Sequence, residues 1–237
     1  TGPAQPAQAA PTVTTATIRT ATTGQVFAGG LFVQPDSQAA QAATALTASG
    51  DTAGVTAART IAAQPVATWL TDPDETATRQ VVRRVVRDAR QQGRTPVFVL
   101  YAIPDRDCGS FSKGGTAERD YLPWVRSAVR AMAGSHAVVL VEPDSIAQIH
   151  VCERLGADRL HLLRQAVDEL TGRGLTVYLD GGNEDRVPVA TMARWLRQAG
   201  VDRVHGFATN VSNFYRVDQE RAYADRLADA IGGDPHF

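Results

Sequence analysis

The chain alternates short apolar runs with longer stretches of helical periodicity, six times over. The runs are rich in Val, Leu, Ile and aromatic residues, as is typical of strands buried on both faces. They lie at Gly30–Val33, Val66–Leu70, Val97–Ala102, Val138–Val141, Leu175–Leu179 and Val204–Ala208. The amphipathic stretches lie at Ser37–Ser49, Glu75–Gln92, Ala117–Met132, Arg159–Gly172, Val189–Ala199 and Gln219–Ile231. This alternation predicts an α/β fold with a parallel sheet and right-handed crossovers.

Two architectures are compatible with six β-then-α units, an open doubly wound sheet and a β/α barrel. A dinucleotide-binding doubly wound fold carries a glycine-rich fingerprint after its first strand, and none follows Gly30–Val33. A closed barrel of this kind has eight strands, more than the pattern supplies. On the periodicity alone, both architectures stay open.

The length of 237 residues suits one large domain. Residues 1–25 are Ala/Thr/Pro-rich with one charge, at Arg19, and we expect a disordered segment or linker there, with the folded domain at 26–237. The 24 basic and 25 acidic side chains nearly cancel. This balance and the absence of a long apolar run predict no nucleic-acid partner and no membrane span. We expect a monomer.

Polar residues follow the ends of four of the predicted strands. They are Asp107, Asp144, Asp180 and Asn210. Ligands bind at the carboxyl ends of parallel strands, so these side chains are candidates for one shared site. A single Asp after a strand is more often a helix N-cap, but several in the same position favour a site that gathers carboxylates.

Several motifs in these loops resemble those of glycoside hydrolase family 6. Residues 99–108 (VLYAIPDRDC) with 112–115 (SKGG), and residues 139–146 (VLVEPDSI), are similar to the two signatures of that family. Further similar blocks are 178–182 (YLDGG), 207–213 (FATNVSN), 32–35 (FVQP) and 64–70 (QPVATWL). The blocks occur in the family's order and cover roughly residues 30–237. The chain is therefore identified as a member of this family.

The resemblance implies a distorted β/α barrel that hydrolyses β-1,4-glucan with inversion, without a cofactor. It implies that Asp144 is the general acid. Asp107 would belong to the proton network behind the attacking water, and its negative charge would raise the pKa of Asp144. The alternative for Asp107 is a structural carboxylate paired to Arg106.

The resemblance assigns roles to five further residues. Tyr101 would lie beneath the distorted sugar, and Ser112 would help to place the water. Trp69 would stack on a glucosyl unit, or belong to the core. Asp180 would contact sugar hydroxyls, or cap its own loop. Asn210 would bind sugar hydroxyls, or fix its own loop.

The only two cysteines, Cys108 and Cys152, match a disulfide of the family. That match favours a secreted protein, since disulfides persist in oxidising compartments. A metal site built from His150, Cys152, Glu153 and His161 is the competing interpretation. The spacing of these residues fits no structural zinc pattern, so we expect no metal.

The sequence departs from the family in two places. Asn183–Arg186 stand where the family has a His followed by an acceptor-side aromatic. Pro235–Phe237 resemble the start of a family strand, with further family residues expected beyond them. We therefore expect a domain that is incomplete at its C-terminus. A catalytically impaired, carbohydrate-binding relative or an inactive fragment is the alternative function.

Overall fold

The computed structural model of the chain describes residues 27, 29–152, 155–211 and 213–233. Two expectations lie outside these residues: the disordered segment 1–25, and a further strand beginning at Pro235. The boundary of the folded domain at residue 26 also lies outside them and stays a prediction.

Five parallel strands form one sheet in the order of the sequence. They are β1 (Thr68–Leu70), β2 (Val97–Leu100), β3 (Val138–Val141), β4 (Thr176–Asp180) and β5 (Gly206–Ala208). In the register, Val99 of β2 lies opposite Trp69 of β1 and Leu140 of β3. A doubly wound sheet reverses its strand order at a switch point, whereas a β/α barrel keeps the order of the chain. The observed strand order is therefore that of a β/α barrel and excludes a doubly wound sheet.

Seven α-helices accompany these strands in the described part of the chain. They are α1 (Gln38–Ser49), α2 (Thr52–Ala62), α3 (Glu75–Gln92), α4 (Glu118–Met132), α5 (Gly156–Leu170), α6 (Val189–Ala199) and α7 (Val217–Ile231). From α3 to α7 each helix packs against the next one in the chain. Right-handed crossovers between adjacent strands place these helices on one face of the sheet. Within the described residues, no helix is long and apolar enough to cross a membrane.

Helix α3 has the bounds that its periodicity predicted. The Asp74 carboxylate accepts a hydrogen bond from the Ala77 N–H at 2.7 Å, which caps the first turn. Gly93 ends the helix in the left-handed conformation, with φ of 63°. Between these ends, Val82 and Val85 lie on the buried stripe.

The core lies between the sheet and the helix layer. Phe98 and Leu100 of β2 and Val139 of β3 are fully buried there, and so is Trp124 of α4. The Trp124 indole N–H donates to the backbone oxygen of Asp72 at 2.9 Å, so its one polar atom is satisfied. Burying such a side chain contributes about 1.5–3 kcal/mol. The strands therefore form a rigid base for the loops at their ends.

Two elements near the N-terminus differ from the sequence prediction. Residues 30–33 form no strand, only an isolated bridge between Leu31 and Thr95. Helix α2 was not predicted. Its only buried residue is Ala58, so it contributes little to the core. The Asp51 cap, whose carboxylate accepts from the Gly54 N–H at 2.9 Å, was the available signal.

Candidate active site

The loops after β2, β3 and β5 hold their backbone in an unusual conformation. In the part of the chain that the structure describes, seven non-glycine residues have a positive φ, which side chains disfavour. Six lie on these loops: Asp105, Asp107, Cys108, Glu142, Asp144 and Asn210. Such a residue costs about 1–3 kcal/mol and persists only where its surroundings hold it. The carboxyl edge of the sheet is therefore the first place to look for a functional site.

Glu142 joins the end of β3 to the end of β2. Its carboxylate is fully buried and accepts the backbone N–H groups of Ala102 and Ile103 at 3.1 Å. It also accepts the hydroxyl of Tyr121 at 3.0 Å. Burial raises the pKa of Glu142, and these hydrogen bonds act in the opposite direction. Glu142 thereby fixes the two loops relative to each other where they leave the sheet.

Asp144 lies two residues further along and is coupled to the next loop. Its backbone N–H donates to Oδ2 of Asp180 at 2.8 Å. Burial raises the pKa of the Asp144 carboxyl, and the charge of Asp107 raises it further, whereas the charge of Arg186 lowers it. A carboxyl with a raised pKa keeps a proton that it can donate nearer to neutral pH.

Asp180 ends β4 and is 2% exposed. Its Oδ1 accepts the Gly182 N–H at 3.2 Å, in addition to the Asp144 N–H at Oδ2. Burial, with a smaller contribution from the charge of Asp144, raises the pKa of Asp180 to about 7, although the two hydrogen bonds lower it. Both oxygens of Asp180 thus accept backbone N–H groups, which is the geometry of a carboxylate that caps its loop, the second of the two roles considered for it.

Asp107 is held by both of its carboxylate oxygens. Oδ2 accepts the Ser112 N–H at 2.7 Å, and Oδ1 accepts the side-chain amide of Gln148 at 2.8 Å. The neighbouring Arg106 instead donates to backbone oxygens, including those of Tyr101 and Ser112. The described residues contain no Asp107–Arg106 ion pair, so the alternative that paired these two side chains is wrong.

The phenol of Tyr101 is close to both candidate acidic groups. Burial raises the pKa of Tyr101, and the charges of Asp144 and Asp107 raise it further. A side-chain hydrogen bond with Ser112 lowers it. Tyr101, Ser112, Asp107 and Asp144 therefore share one electrostatic environment.

Trp69 packs edge-on against the ring of Tyr101, with the ring centroids 5.2 Å apart and the planes at 88°. Arg106 covers the same tyrosine ring, its guanidinium carbon 4.9 Å from the centroid. Trp69 is only partly buried. Trp69 lies on β1 beside Tyr101, with part of its surface open to solvent.

The glycine that ends the 109–115 loop makes a close backbone approach. A Cβ on Gly115 would lie 2.0 Å from the backbone oxygen of Ile103, and its φ is 98°. The next residue, Thr116, donates its N–H to the oxygen of Ala102 at 2.8 Å. Only glycine fits this approach, which returns the loop to the end of β2.

Cys108 and Cys152 form the predicted disulfide, with 6.1 Å between their Cα atoms. It joins the Asp107 loop to the segment that follows Asp144. The bond also removes Cys152 as a thiolate ligand for the metal site considered above. Within the described residues, no group of three or more His, Cys, Asp or Glu side chains could hold a metal ion.

Asn210 turns its side chain into its own loop. Its amide nitrogen donates to the oxygen of Tyr215 at 3.1 Å, and its amide oxygen accepts the Tyr215 N–H at 3.2 Å. Both ends of the amide are therefore used by the loop. This arrangement matches the loop-fixing alternative better than a sugar contact.

The structure brings Tyr101, Asp107, Ser112, Asp144 and Asp180 to one edge of the sheet, with Trp69 beside them. Sequence reasoning gave no role to Gln148, Glu142 or Arg186. Glu142 and Gln148 both lie within or just beyond the 139–146 motif, but a motif does not reveal which members are buried and what they bind. Arg186 belongs to the segment where the sequence departs from the family.

The family comparison agrees with this arrangement. The sequence profile described as glycosyl hydrolases family 6 matches residues 28–233. The chain belongs to glycosyl hydrolase family 6. The predicted fold, a parallel β/α barrel of the family type, is therefore confirmed.

Individual relatives from this family are similar over most of the chain. Endoglucanase A of Cellulomonas fimi is 35% identical over 205 residues, 86% of this chain and 44% of that protein. Endoglucanase 1 of Streptomyces halstedii is 32% identical over 85% of this chain and 64% of its own length. The chain thus spans about half the length of these relatives.

A solved family 6 structure superimposes well on the protein. The endoglucanase Cel6 of Mycobacterium tuberculosis, in complex with a methyl-cellobiosyl-thio-cellobioside, has a TM-score of 0.77 and 34% identity. The match covers 85% of this chain and 68% of that one. Endoglucanase CEL6B of Humicola insolens, with a TM-score of 0.69 and 22% identity, shares the fold.

Proposed function

We propose that the protein hydrolyses β-1,4-glucosidic bonds in cellulose or a related β-glucan with inversion, and that Asp144 is the general acid. The observation that carries this proposal is that Gln148 links the two loops, since its backbone N–H donates to the oxygen of Asp144 and its side chain to the carboxylate of Asp107. Burial raises the pKa of Asp144, the charge of Arg186 opposes this, and the charge of Asp107 adds to it. A proton donor near neutral pH needs such a shift.

Asp107 and its neighbours have complementary roles in this proposal. Asp107 is the negative group behind the attacking water, and Ser112 helps to orient that water. Inverting enzymes keep their two carboxyl groups about 6.5–9.5 Å apart to leave room for it. Tyr101 lies below the reacting sugar, and Ser112, Asp107 and Asp144 all act on the pKa of its phenol. Asp180 supports the Asp144 loop through the Asp144 N–H.

The proposed substrate class follows from the relatives and from Trp69. The relatives are named endoglucanases, and one was solved with a cello-oligosaccharide analogue. A partly open indole next to Tyr101 suits the apolar face of a glucosyl ring. The disulfide supports a secreted protein, since such bonds persist in oxidising compartments.

The proposal is tested by incubating the protein with a soluble β-1,4-glucan and following reducing ends together with the first anomer formed. We expect reducing-end release, with the α-anomer appearing first in the ¹H NMR spectrum. The β-anomer appearing first would refute inversion. Binding of oligosaccharide without any release would favour the alternative, a carbohydrate-binding relative.

A further inference from the structure

Gln148 lies between the two loops of the candidate site. It belongs to the short 3₁₀ helix Ala147–His150 and is 4% exposed. Its backbone N–H donates to the oxygen of Asp144 at 2.8 Å, and its own oxygen accepts the Cys152 N–H at 2.9 Å. The backbone of Gln148 is thus fixed between the proposed acid and the disulfide.

The side chain of Gln148 crosses to the opposite loop, where its amide nitrogen donates to Oδ1 of Asp107 at 2.8 Å. The other oxygen of Asp107 accepts the Ser112 N–H from its own loop. An amide nitrogen and a backbone N–H can only donate. Both contacts therefore suit a carboxylate that accepts at both oxygens, held by one donor from each loop.

The other connections between these loops do not orient this carboxylate. The disulfide joins the backbones at Cys108 and Cys152 and leaves the side-chain torsions of Asp107 free. Arg106 is next to Asp107 but donates its guanidinium hydrogens to backbone oxygens. Gln148 is thus the only side chain of the described residues that donates a hydrogen bond to Asp107.

We infer that Gln148 is a positioning residue that fixes the Asp107 carboxylate relative to Asp144. This inference rests on the proposed function, because it gives Asp107 a task that needs a fixed orientation. A misplacement of about 1 Å in a catalytic group can cost roughly 10²-fold in rate. The side chain of Gln148 touches Asp107, not the substrate.

The first test is Gln148→Leu, which removes the donor and keeps the approximate size. We expect kcat to fall about 10- to 100-fold and KM to stay within about threefold, because ground-state binding is not affected. The matched control is Gln92→Leu. The Gln92 amide also holds a backbone segment, at Val33, but far from the site. A kcat for Gln148→Leu within twofold of the control would overturn the inference.

The second test is Gln148→Glu, which separates a positioning role from a packing role. At low pH the introduced carboxyl is protonated and can donate to Asp107. At higher pH two carboxylates would face each other and repel. We therefore expect kcat relative to the wild type to rise as pH falls, whereas a constant ratio would contradict the inference.

Taking this ratio cancels the other groups that face Asp107 and Asp144, because both proteins contain them. They are Tyr101 and Arg106 on the β2 side, and Asp180 and Arg186 on the β4 side. Gln148→Leu provides the pH-independent reference, since it has no titrating group at this position.

An activity-free measurement distinguishes failure of this inference from failure of the proposed function. The introduced carboxyl would have a raised pKa in the folded state. The unfolding free energy of Gln148→Glu should then fall, relative to Gln148→Leu, as pH rises above about 4.3. A wild-type protein that cleaves nothing would refute the proposed function alone. Parallel stability curves for the two variants would refute the contact between Gln148 and Asp107.

Discussion

The two edges of the sheet differ in which residue types adopt the left-handed backbone conformation. At the amino edge, where helices return to strands, glycines such as Gly93, Gly134 and Gly174 supply the positive φ. At the carboxyl edge glycines such as Gly115 and Gly182 also have a positive φ, but acidic residues, an asparagine and a cysteine adopt the same conformation beside them. Among the described residues, His136 is the one non-glycine residue with a positive φ outside the carboxyl-edge loops, with a φ of 52° just before β3.

This difference distinguishes turns that only connect helices to strands from loops that carry the proposed site residues. Glycine adopts the left-handed conformation at little steric cost, so it is the usual residue in a turn whose side chain has no further role. In the proposed function, Asp107 and Asp144 adopt this conformation in spite of its steric cost because their positions need a carboxyl group. Their loops are held by Glu142, by Asp180 and by the disulfide. Strained residues held by their surroundings therefore lie at the edge where we propose the active site.

The largest expected effect is that of Asp144→Asn. This change keeps the size of the side chain but removes the transferable proton. Hydrolysis of a glucan should fall about 10²–10⁴-fold, whereas a substrate with an acidic phenol leaving group should be affected far less. Initial rates on the two substrates, together with oligosaccharide affinity, check this prediction.

The matched control is Asp202→Asn, the same change at an exposed aspartate that precedes β5 at the amino edge. It should leave both rates unchanged. Equal losses on the two substrates in Asp144→Asn would instead make Asp144 a structural carboxylate.

The next effect concerns the disulfide that joins the two strained loops. Replacing both Cys108 and Cys152 by Ala opens a link between residues 44 positions apart. A bridge over a loop of this length typically contributes about 2–5 kcal/mol to stability. Denaturant unfolding under oxidising conditions should show this loss, and adding a reductant should destabilise the wild type but not the variant. A wild type insensitive to reductant would contradict the prediction.

The raised pKa of Asp180 predicts a pH dependence of the folding stability. Its pKa is raised from 3.8 to about 7 in the folded protein, so the folded state binds more protons than the unfolded state in this window. Stability contributed by Asp180 is therefore present below pH 3.8 and declines as pH rises to about 7. Asp180→Asn cannot titrate and should lack this decline.

The measurement is the difference in unfolding free energy between the wild type and Asp180→Asn across the pH range. The variant also loses one acceptor for a backbone N–H, but that cost does not vary with pH. Asp202→Asn serves again as the control. A difference that stays constant between pH 3.8 and 7 would show that Asp180 is not buried as described.

The sequence predicted the regular part of the fold and the location of the site. Periodicity located β3 and α3 with their exact bounds, because both bury a continuous apolar stripe. It failed at residues 30–33, which form one isolated bridge instead of a strand, and at α2, which buries only Ala58. The strand order, which excludes the doubly wound sheet, is a property of the assembled sheet and not of any segment.

The sequence predicted which loops form the site, but not the hydrogen bonds between their side chains. The carboxyl-edge rule and the family motifs brought Asp107, Asp144 and Asp180 together. They could not reveal that Asp107 is bound by Gln148 rather than paired with Arg106, because a guanidinium has several oxygens within reach. Burial, which raises the pKa of Asp180, also depends on residues distant in sequence.

The smallest expected effect comes from comparing one left-handed residue at each edge, His136 with φ of 52° and Asn210 with φ of 60°. His136→Gly relieves a steric cost of about 1–2 kcal/mol and adds chain entropy to the unfolded state, so we expect a net gain of at most about 1 kcal/mol. Asn210→Gly relieves less strain, because asparagine tolerates the left-handed region better, and it removes both side-chain hydrogen bonds to Tyr215, worth about 0.5–1.5 kcal/mol each. We therefore expect this second variant to be neutral or less stable. Unfolding free energies of the two variants check the difference in sign, and a clear stabilisation by both would mean that the carboxyl-edge side chain does not offset its strained backbone.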